Sequence, residues 1–310
     1  MCCDAAPAED IGRIRAVTVI KPTESFYFGY GSNLNQDHWQ EWCAAEGFDP
    51  STVWPIGPAW LPDKELAFRY KSGRWEGGVL DLRDHVGQAT AGWLYAVTEA
   101  GWSALDCKEG VRSNCYQRIP WYALTSTGQV LDVQTYEVVP KKRRLFVSPS
   151  PAYKEIVRTG RADLDIAEDG HLVAAAENAP CSWLSSHVFV YGTCRPRQPR
   201  FDVVKDHGVD DISSGTVSGE LLDLGAYPGL VSGTHTVRGE VVTSADPEGL
   251  LRALDVVEGF SGWGAPDNLY TRALMFVQTT RGPLLSWVYR YAGPSKGVLR
   301  IESGDWLKRK

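Results

Sequence analysis

The chain is predicted to be an α+β protein: two small mixed β-barrels or curled sheets in tandem, each with one or more flanking helices. Three observations lead there. First, one block of sequence recurs. The apolar run Phe26–Gly29 enters Tyr30-Gly31-Ser32-Asn33 and is followed by Leu105-Asp106-x-x-Glu109-Gly110; Val188–Val190 enters Tyr191-Gly192-Thr193 and is followed by Leu254-Asp255-x-x-Glu258-Gly259. Each Glu-Gly then leads to Tyr-x-Arg, Tyr116 with Arg118 and Tyr270 with Arg272. A repeat this long means two copies of one fold, because solenoid periods are far shorter. Second, most apolar segments are short, rich in β-branched and aromatic residues, and bounded by Gly, Pro or Asp, as strands are. Third, helix signals are few in each half, and mostly strands with one or two helices is the α+β pattern.

In the first half the expected strands are Ser25–Tyr30, Glu65–Tyr70, Gly78–Leu82, Ala91–Val97, Tyr116–Leu124 and Val130–Val138. A helix is expected from Thr98, as N-cap, to Gly110, and a second from Ser150-Pro151 through Tyr153 and Ile156 towards Gly160. The Ala-rich piece after Gly170 also reads as helix, and Asn178-Ala179-Pro180 closes the half. In the second half the strands are His187–Tyr191, Thr216–Leu222, Thr236–Val242, Leu269–Gln278 and Leu284–Tyr291. Asp246 as N-cap, Pro247 at the first helical position and Glu248 in the first turn start its helix, and Gly259 stops it. The expected organisation is a flexible leader over 1–24, one domain over 25–182 and another over 183–310. The joint is short, so the domains are expected to touch. The tail carrying Trp306 is expected to pack on a domain.

The 310 residues are 43% hydrophobic, enough for two cores, and the net charge of -6 offers no electrostatic footing for nucleic acid or an anionic membrane. The basic run Lys141–Arg144 reads as a solvated face or strand end. No window resembles a membrane span, and the N-terminus lacks a charged-then-apolar secretory pattern. Seven cysteines, an odd number without Cys-x-x-Cys, argue for reduced thiols in a cytoplasm. Scattered histidines argue against a zinc site, and no phosphate-cradling or nucleophile-elbow motif is present. No metal and no cofactor are expected.

The chemistry therefore falls to ordinary side chains. Glu258 follows Leu254 by four residues and Leu251 by seven, so it continues the apolar face of its helix; Glu109 stands in the same relation to Leu105 and Trp102. A carboxylate there loses hydration near a helix C-terminus, and both effects raise its pKa towards the range of a proton shuttle. For one such Glu alone, a pairing with a nearby cation would be the favoured reading; the matched pair shifts the balance. The Gly31 turn offers close backbone approach, unusual φ/ψ and successive N–H groups for an oxyanion. Ser32 and Thr193 lack a neighbouring base, so a hydroxyl nucleophile ranks low. Tyr116 reads equally as a pocket wall or a core aromatic. Arg118 and Arg272 read as surface salt-bridge partners before substrate ligands.

Tyr30-Gly31-Ser32-Asn33-Leu34, Glu109-Gly110-Val111-Arg112-Ser113 with Tyr116, and Pro149-Ser150-Pro151-Ala152-Tyr153-Lys154 together resemble γ-glutamylcyclotransferase over most of residues 25–178. The second half resembles the shorter branch of that superfamily, the γ-glutamylamine cyclotransferase and AIG2-like proteins, through Val188–Thr193, Gly219–Leu222, Tyr227–Val231, Arg238–Val241 and Leu254–Gly259. It departs in Cys194, where that branch has Leu, and in a longer segment after the acid: Glu258 to Tyr270 spans 12 positions against 7 from Glu109 to Tyr116. Such a segment is one that reshapes or closes the second pocket. The resemblance implies cleavage of γ-glutamyl amides without water. The substrate's α-amine attacks its own γ-carbonyl, releasing 5-oxoproline and a free amine. It makes Glu109 and Glu258 the acid–base residues. Tyr30, Gly31, Ser32, Asn33 and Tyr116 bind substrate in the first half, as do Tyr191, Gly192, Thr193 and Tyr270 in the second. Open alternatives are removal of a γ-glutamyl protecting group from a biosynthetic amine, a chain with only one catalytic domain, and a metabolite-binding protein without turnover.

Overall fold

The structure, a computed structural model, describes residues 25–166 and 170–309; the expected leader, with Cys2 and Cys3, lies outside them. Strands β1 (Ser25–Gly29), β2 (Val53–Ser72), β3 (Gly77–Val97), β4 (Tyr116–Leu124) and β5 (Val130–Val138) close into a barrel in the order β1-β3-β2-β4-β5. A parallel contact, Tyr27 opposite Gln134, shuts it. Strands β6 (His187–Val190), β7 (Val209–Asp223), β8 (Pro228–Ser244), β9 (Tyr270–Thr279) and β10 (Gly282–Tyr291) repeat that order strand for strand, with β6 and β10 as the parallel pair. The duplication read from sequence is thus a duplication of topology.

The helices are α1 (Gln36–Glu46), α2 (Glu99–Lys108), α3 (Pro151–Asp163), α4 (His171–Glu177), α5 (Phe201–Lys205) and α6 (Pro247–Glu258). Thr98 caps α2 by accepting from Gly101 N, Ser150 caps α3, and Asp246 caps α6 by accepting from Gly249 N. Gly259 ends α6 in the left-handed region at φ 61°. These starts and stops follow the sequence.

Three features differ from expectation. The breaks expected within the first sheet are not ends. β2 and β3 form one long hairpin that bends at register shifts, with Asp63 at φ 55° and Gly87 at φ 83°, so a bulge takes the place of a terminus. Helix α1, like the short α5, was not anticipated. Asn35 caps it and Trp39, Trp42 and Cys43 form its buried stripe, but polar residues fill the positions between them. Arg143 of the basic run is not a solvated charge: it pairs with the fully buried Asp81 at 3.2 Å and with Glu137 at 3.1 Å. The tail packs as expected, with Trp306 buried and Asp305 bonded to Arg195 Nη1 at 2.6 Å.

Each barrel encloses its own core, and a third cluster is shared. Trp60, Ala89 and Leu124 of the first barrel pack with Leu250, Leu251, Leu254 and Trp287 of the second. Full burial of one such leucine stabilises by roughly 2 kcal/mol, so the barrels are joined through a core. Among the described residues no helix is long and apolar enough to cross a membrane, and no group of His, Cys, Asp or Glu is arranged to hold a metal ion.

Candidate active site

Both glutamates sit where a helix runs out against a barrel mouth. In the first barrel, Glu109 directly follows α2, whose Trp102, Ala104 and Leu105 are buried. Its side chain is partly buried, and Oε1 accepts from Asn33 Nδ2 at 2.7 Å; the same amide donates to Tyr27 Oη at 3.0 Å. Burial raises the Glu109 pKa, Asp106 adds to the rise, and Lys108 and Asn33 partly offset it. The carboxyl faces two adjoining cavities that share Ser32, Glu109, Tyr116 and Tyr153 as lining. The inner one, about 20 Å³, is walled by Tyr27, Tyr30 and Tyr136; the outer, about 170 Å³, by His38, Arg74, Trp75 and Lys108.

The tyrosines are fixed by backbone groups. Tyr30 donates to Tyr136 O at 2.7 Å and Tyr116 to Leu80 O at 2.5 Å, while Tyr153 Oη accepts from Leu80 N at 3.3 Å. Tyr116 is therefore pocket wall and core aromatic together. Ser32 faces Tyr153 across the inner cavity wall. Gly31, at φ -117° and ψ -140°, lies outside the helical and extended regions but not in the left-handed one. A Cβ there would stand 3.5 Å from Tyr153 Oη, so the glycine serves by leaving the cavity wall bare. Arg118 does not line either cavity. It grips Asp106 behind the site and lies over Trp102 at 4.4 Å, while Tyr136 donates to Asp106 Oδ1 at 2.6 Å.

The second barrel copies this frame. Glu258 ends α6, Tyr191 donates to Tyr289 O at 2.7 Å, Tyr270 to Pro228 O at 2.6 Å, and Tyr289 to Asp255 Oδ1 at 2.7 Å. Arg272 grips Asp255 as Arg118 grips Asp106. Cys194 stands where Asn33 stands, its Sγ 3.9 Å from Glu258 Oε1. Burial raises Glu258 to about 7, against partial offsets from Arg200 and Cys194; burial and Glu258 push the Cys194 thiol up to about 12, so it is a neutral donor. The cavity, with Thr193 and Tyr227 in its wall, holds only about 30 Å³. Gly192 is required by packing, since a Cβ would meet Pro228 Cγ at 2.6 Å.

A model of the γ-glutamyl cyclotransferase, AIG2-like family matches residues 188–308, and one of the AIG2-like family matches residues 90–169. γ-Glutamylcyclotransferase of Bos taurus is 31% identical over 142 residues, taking in 44% of this chain and 70% of its own length. The γ-glutamylcyclotransferase family protein YtfP of Escherichia coli (strain K12) is 34% identical over 128 residues, 39% of this chain and 96% of its own. The chain belongs to the γ-glutamylcyclotransferase family. Its two family-model matches fall one in each barrel, so the family's unit occurs twice, in a cyclotransferase-type enzyme. Among solved structures, a human uncharacterized protein (LOC79017) aligns with a TM-score of 0.43 at 23% identity, over 52% of this chain and 90% of its own. The E. coli YtfP structure aligns with a TM-score of 0.29 at 32% identity, over 40% and 97%.

The turn, acid and tyrosine residues read from sequence thus converge at each family-type site. Sequence reasoning missed Lys108, whose ammonium lies over Trp42 at 5.2 Å and Trp39 at 5.7 Å and whose pKa falls to about 8 through burial. The unseen α1 supplies those rings. It also missed Asp63. The longer segment after Glu258 does not line the second cavity; Trp263 turns towards the first barrel, where it stacks on Tyr122 and donates to Asp63 Oδ2 at 2.6 Å.

Proposed function

We propose that residues 25–182 form a domain that cleaves γ-glutamyl amides by internal aminolysis, and that residues 183–310 form a domain carrying the same chemistry on a tighter site. Glu109 takes a proton from the substrate's α-ammonium. The freed nitrogen attacks the γ-carbonyl carbon, closing a five-membered ring; Glu109 returns its proton to the leaving nitrogen as the amide C–N bond breaks, and the ring nitrogen gives up its second proton, so the free amine leaves as an ammonium. The products are 5-oxoproline and a free amine, with no water consumed. Ring closure is intramolecular, so most of the acceleration comes from folding the glutamyl chain into a reactive pose. The oxyanion is held by N–H groups of the Gly31-Ser32 turn. The outer cavity, between Trp75 and Lys108, takes the leaving amine. Relatives named γ-glutamylcyclotransferase support the substrate class.

The observation that carries this reading is the Glu109 carboxyl, aimed into a tyrosine-walled cavity, bonded by Asn33 and raised in pKa by burial. One carboxyl that serves as base and then acid requires that intermediate proton affinity. The test is 5-oxoproline release from a panel of γ-glutamyl amides by the wild type and by Glu109→Gln and Glu258→Gln. Loss in Glu109→Gln supports the first site, and near-wild-type release by it overturns that assignment. The matched Glu258, near 7, favours the same role in the second barrel. Its cavity of about 30 Å³ is comparable to the inner cavity of about 20 Å³ beside Glu109 and lacks an outer annexe among the described residues.

A further inference from the structure

The Arg–Asp pair behind each acid is built alike, but its surroundings differ. Arg118 keeps 32% of its side chain exposed, so the guanidinium nitrogen that Asp106 does not bind can face water. Arg272 is only 3% exposed, enclosed by Phe260 at 4.9 Å, Trp287 at 5.9 Å and Trp263 at 6.0 Å from the ring centroids. Asp255 takes its Nε and Nη2. The remaining Nη1 has no water to turn to, and a buried guanidinium with an unmatched donor is costly. The missing acceptor comes from the other barrel: Nη1 donates to Asp63 Oδ1 at 3.0 Å.

Asp63 is itself locked. It sits at the bulge of β2 with φ 55°, accepts from Gly87 N at 2.8 Å on Oδ1, and accepts from the Trp263 indole on Oδ2. Beyond Arg272 the connection runs to the second site in two steps. Asp255 lies one helical turn before Glu258, and it accepts from Tyr289, whose ring lines the Glu258 cavity.

We infer that Asp63 of the first barrel is a positioning residue for the second site, which is complete only while the two barrels are docked. The long segment after Glu258 exists, on this view, to dry the Arg272 guanidinium and hand its last donor to Asp63. This rests on reading Glu258 as the acid–base residue of the second site. The first site has no reciprocal dependence, because Arg118 is served by Asp106, the Trp102 face and solvent.

The test uses the full chain with Glu109→Gln, so that any turnover comes from the second barrel, and adds Asp63→Asn. The asparagine keeps the shape and the Oδ1 acceptor for Gly87 N and Arg272 Nη1, but removes the charge and the acceptor for the Trp263 indole. Trp263→Phe, which keeps an aromatic ring but removes the indole donor and part of the cover over Arg272, is the milder second variant. The expected results are a kcat for 5-oxoproline release down at least tenfold in Asp63→Asn, with KM changed less than threefold, and a smaller loss in Trp263→Phe. A ¹³C carboxyl titration of Glu258, which faces Cys194, Arg200, Tyr191, Tyr270 and Tyr289, should move its midpoint in Asp63→Asn. In a Glu258→Gln background, Asp63→Asn should leave first-barrel turnover within twofold. Equal losses at both sites, or an unchanged second-site kcat and Glu258 midpoint, would overturn the inference. If Glu109→Gln alone abolishes all turnover, the catalytic reading of the second barrel fails. The Glu258 midpoint then decides by itself: a shift upholds the positioning role and no shift overturns it.

Discussion

The two sites share a frame and differ in the group that holds the acid. In the first barrel an amide, Asn33, donates to Glu109 at 2.7 Å; in the second a thiol, Cys194, stands 3.9 Å from Glu258. A strong donor to the charged form opposes the rise that burial imposes, and a distant neutral thiol opposes it little. The first site also has roughly 170 Å³ of outer cavity, walled by cations and a tryptophan, against 30 Å³ in the second. Duplication therefore preserved the buried carboxyl and its tyrosine cage while changing the holder and the outer room. On the proposed reading, the reaction step constrains the carboxyl and the holder tunes its proton affinity.

The contrast is broken most directly at the acid. Glu109→Gln should lower first-barrel kcat by roughly 10²–10⁴-fold, the usual worth of a general acid–base group, in 5-oxoproline assays with the second barrel silenced. Next is stability. The folded pKa of Glu258 is about 7 against 4.5 for the free side chain. A raised folded pKa stabilises fully below the unfolded value and loses that stability as pH rises through the folded one. The span corresponds to about 3 kcal/mol. Denaturant melts of Glu258→Gln should therefore match the wild type near pH 4 and exceed it by up to about 3 kcal/mol at pH 8. A variant no more stable at pH 8 would refute the burial of that carboxyl.

Smaller effects sharpen the comparison. Asn33→Ala removes a hydrogen bond to a charged group, worth about 1.5 kcal/mol or more, and should cost about tenfold in kcat/KM at pH 7. Glu109 would rise further, so the acidic limb of the rate profile should move to higher pH. Cys194→Asn should do the reverse in the second barrel, lowering the Glu258 titration below about 7 in a ¹³C experiment. An unmoved midpoint would show that the holder does not tune the acid.

Much of this was legible in the chain. The repeated Tyr-Gly-Ser/Thr and Leu-Asp-x-x-Glu-Gly blocks located both acids, because an i, i+4, i+7 stripe assigns a face whatever surrounds it. The capped helices at Thr98 and Asp246 were likewise local. The unread parts depended on distant partners. Helix α1 hides because its stripe is three residues among polar neighbours. The hairpin of β2 and β3 reads as broken because a bulge carries the same Asp and Gly signals as a turn. Asp63 drew no reading at all, because its partner Arg272 is brought to it only by the docked barrels. Arg118 and Arg272 were read as salt-bridge partners, which they are, but Arg272 is buried rather than at the surface.

The terminal placement of each acid makes helix length part of the active site. Glu109 and Glu258 are each followed by a glycine in the left-handed region, φ 64° and φ 61°, so neither helix can absorb an extra residue by running on. One residue inserted or removed upstream would rotate the carboxyl about 100° around the axis and slide it about 1.5 Å, out of phase with its barrel mouth. Descendants of this chain are free to lengthen the segment between Gly259 and Tyr270, but the stretch from Thr98 to Glu109 behaves as a ruler with no spare graduation.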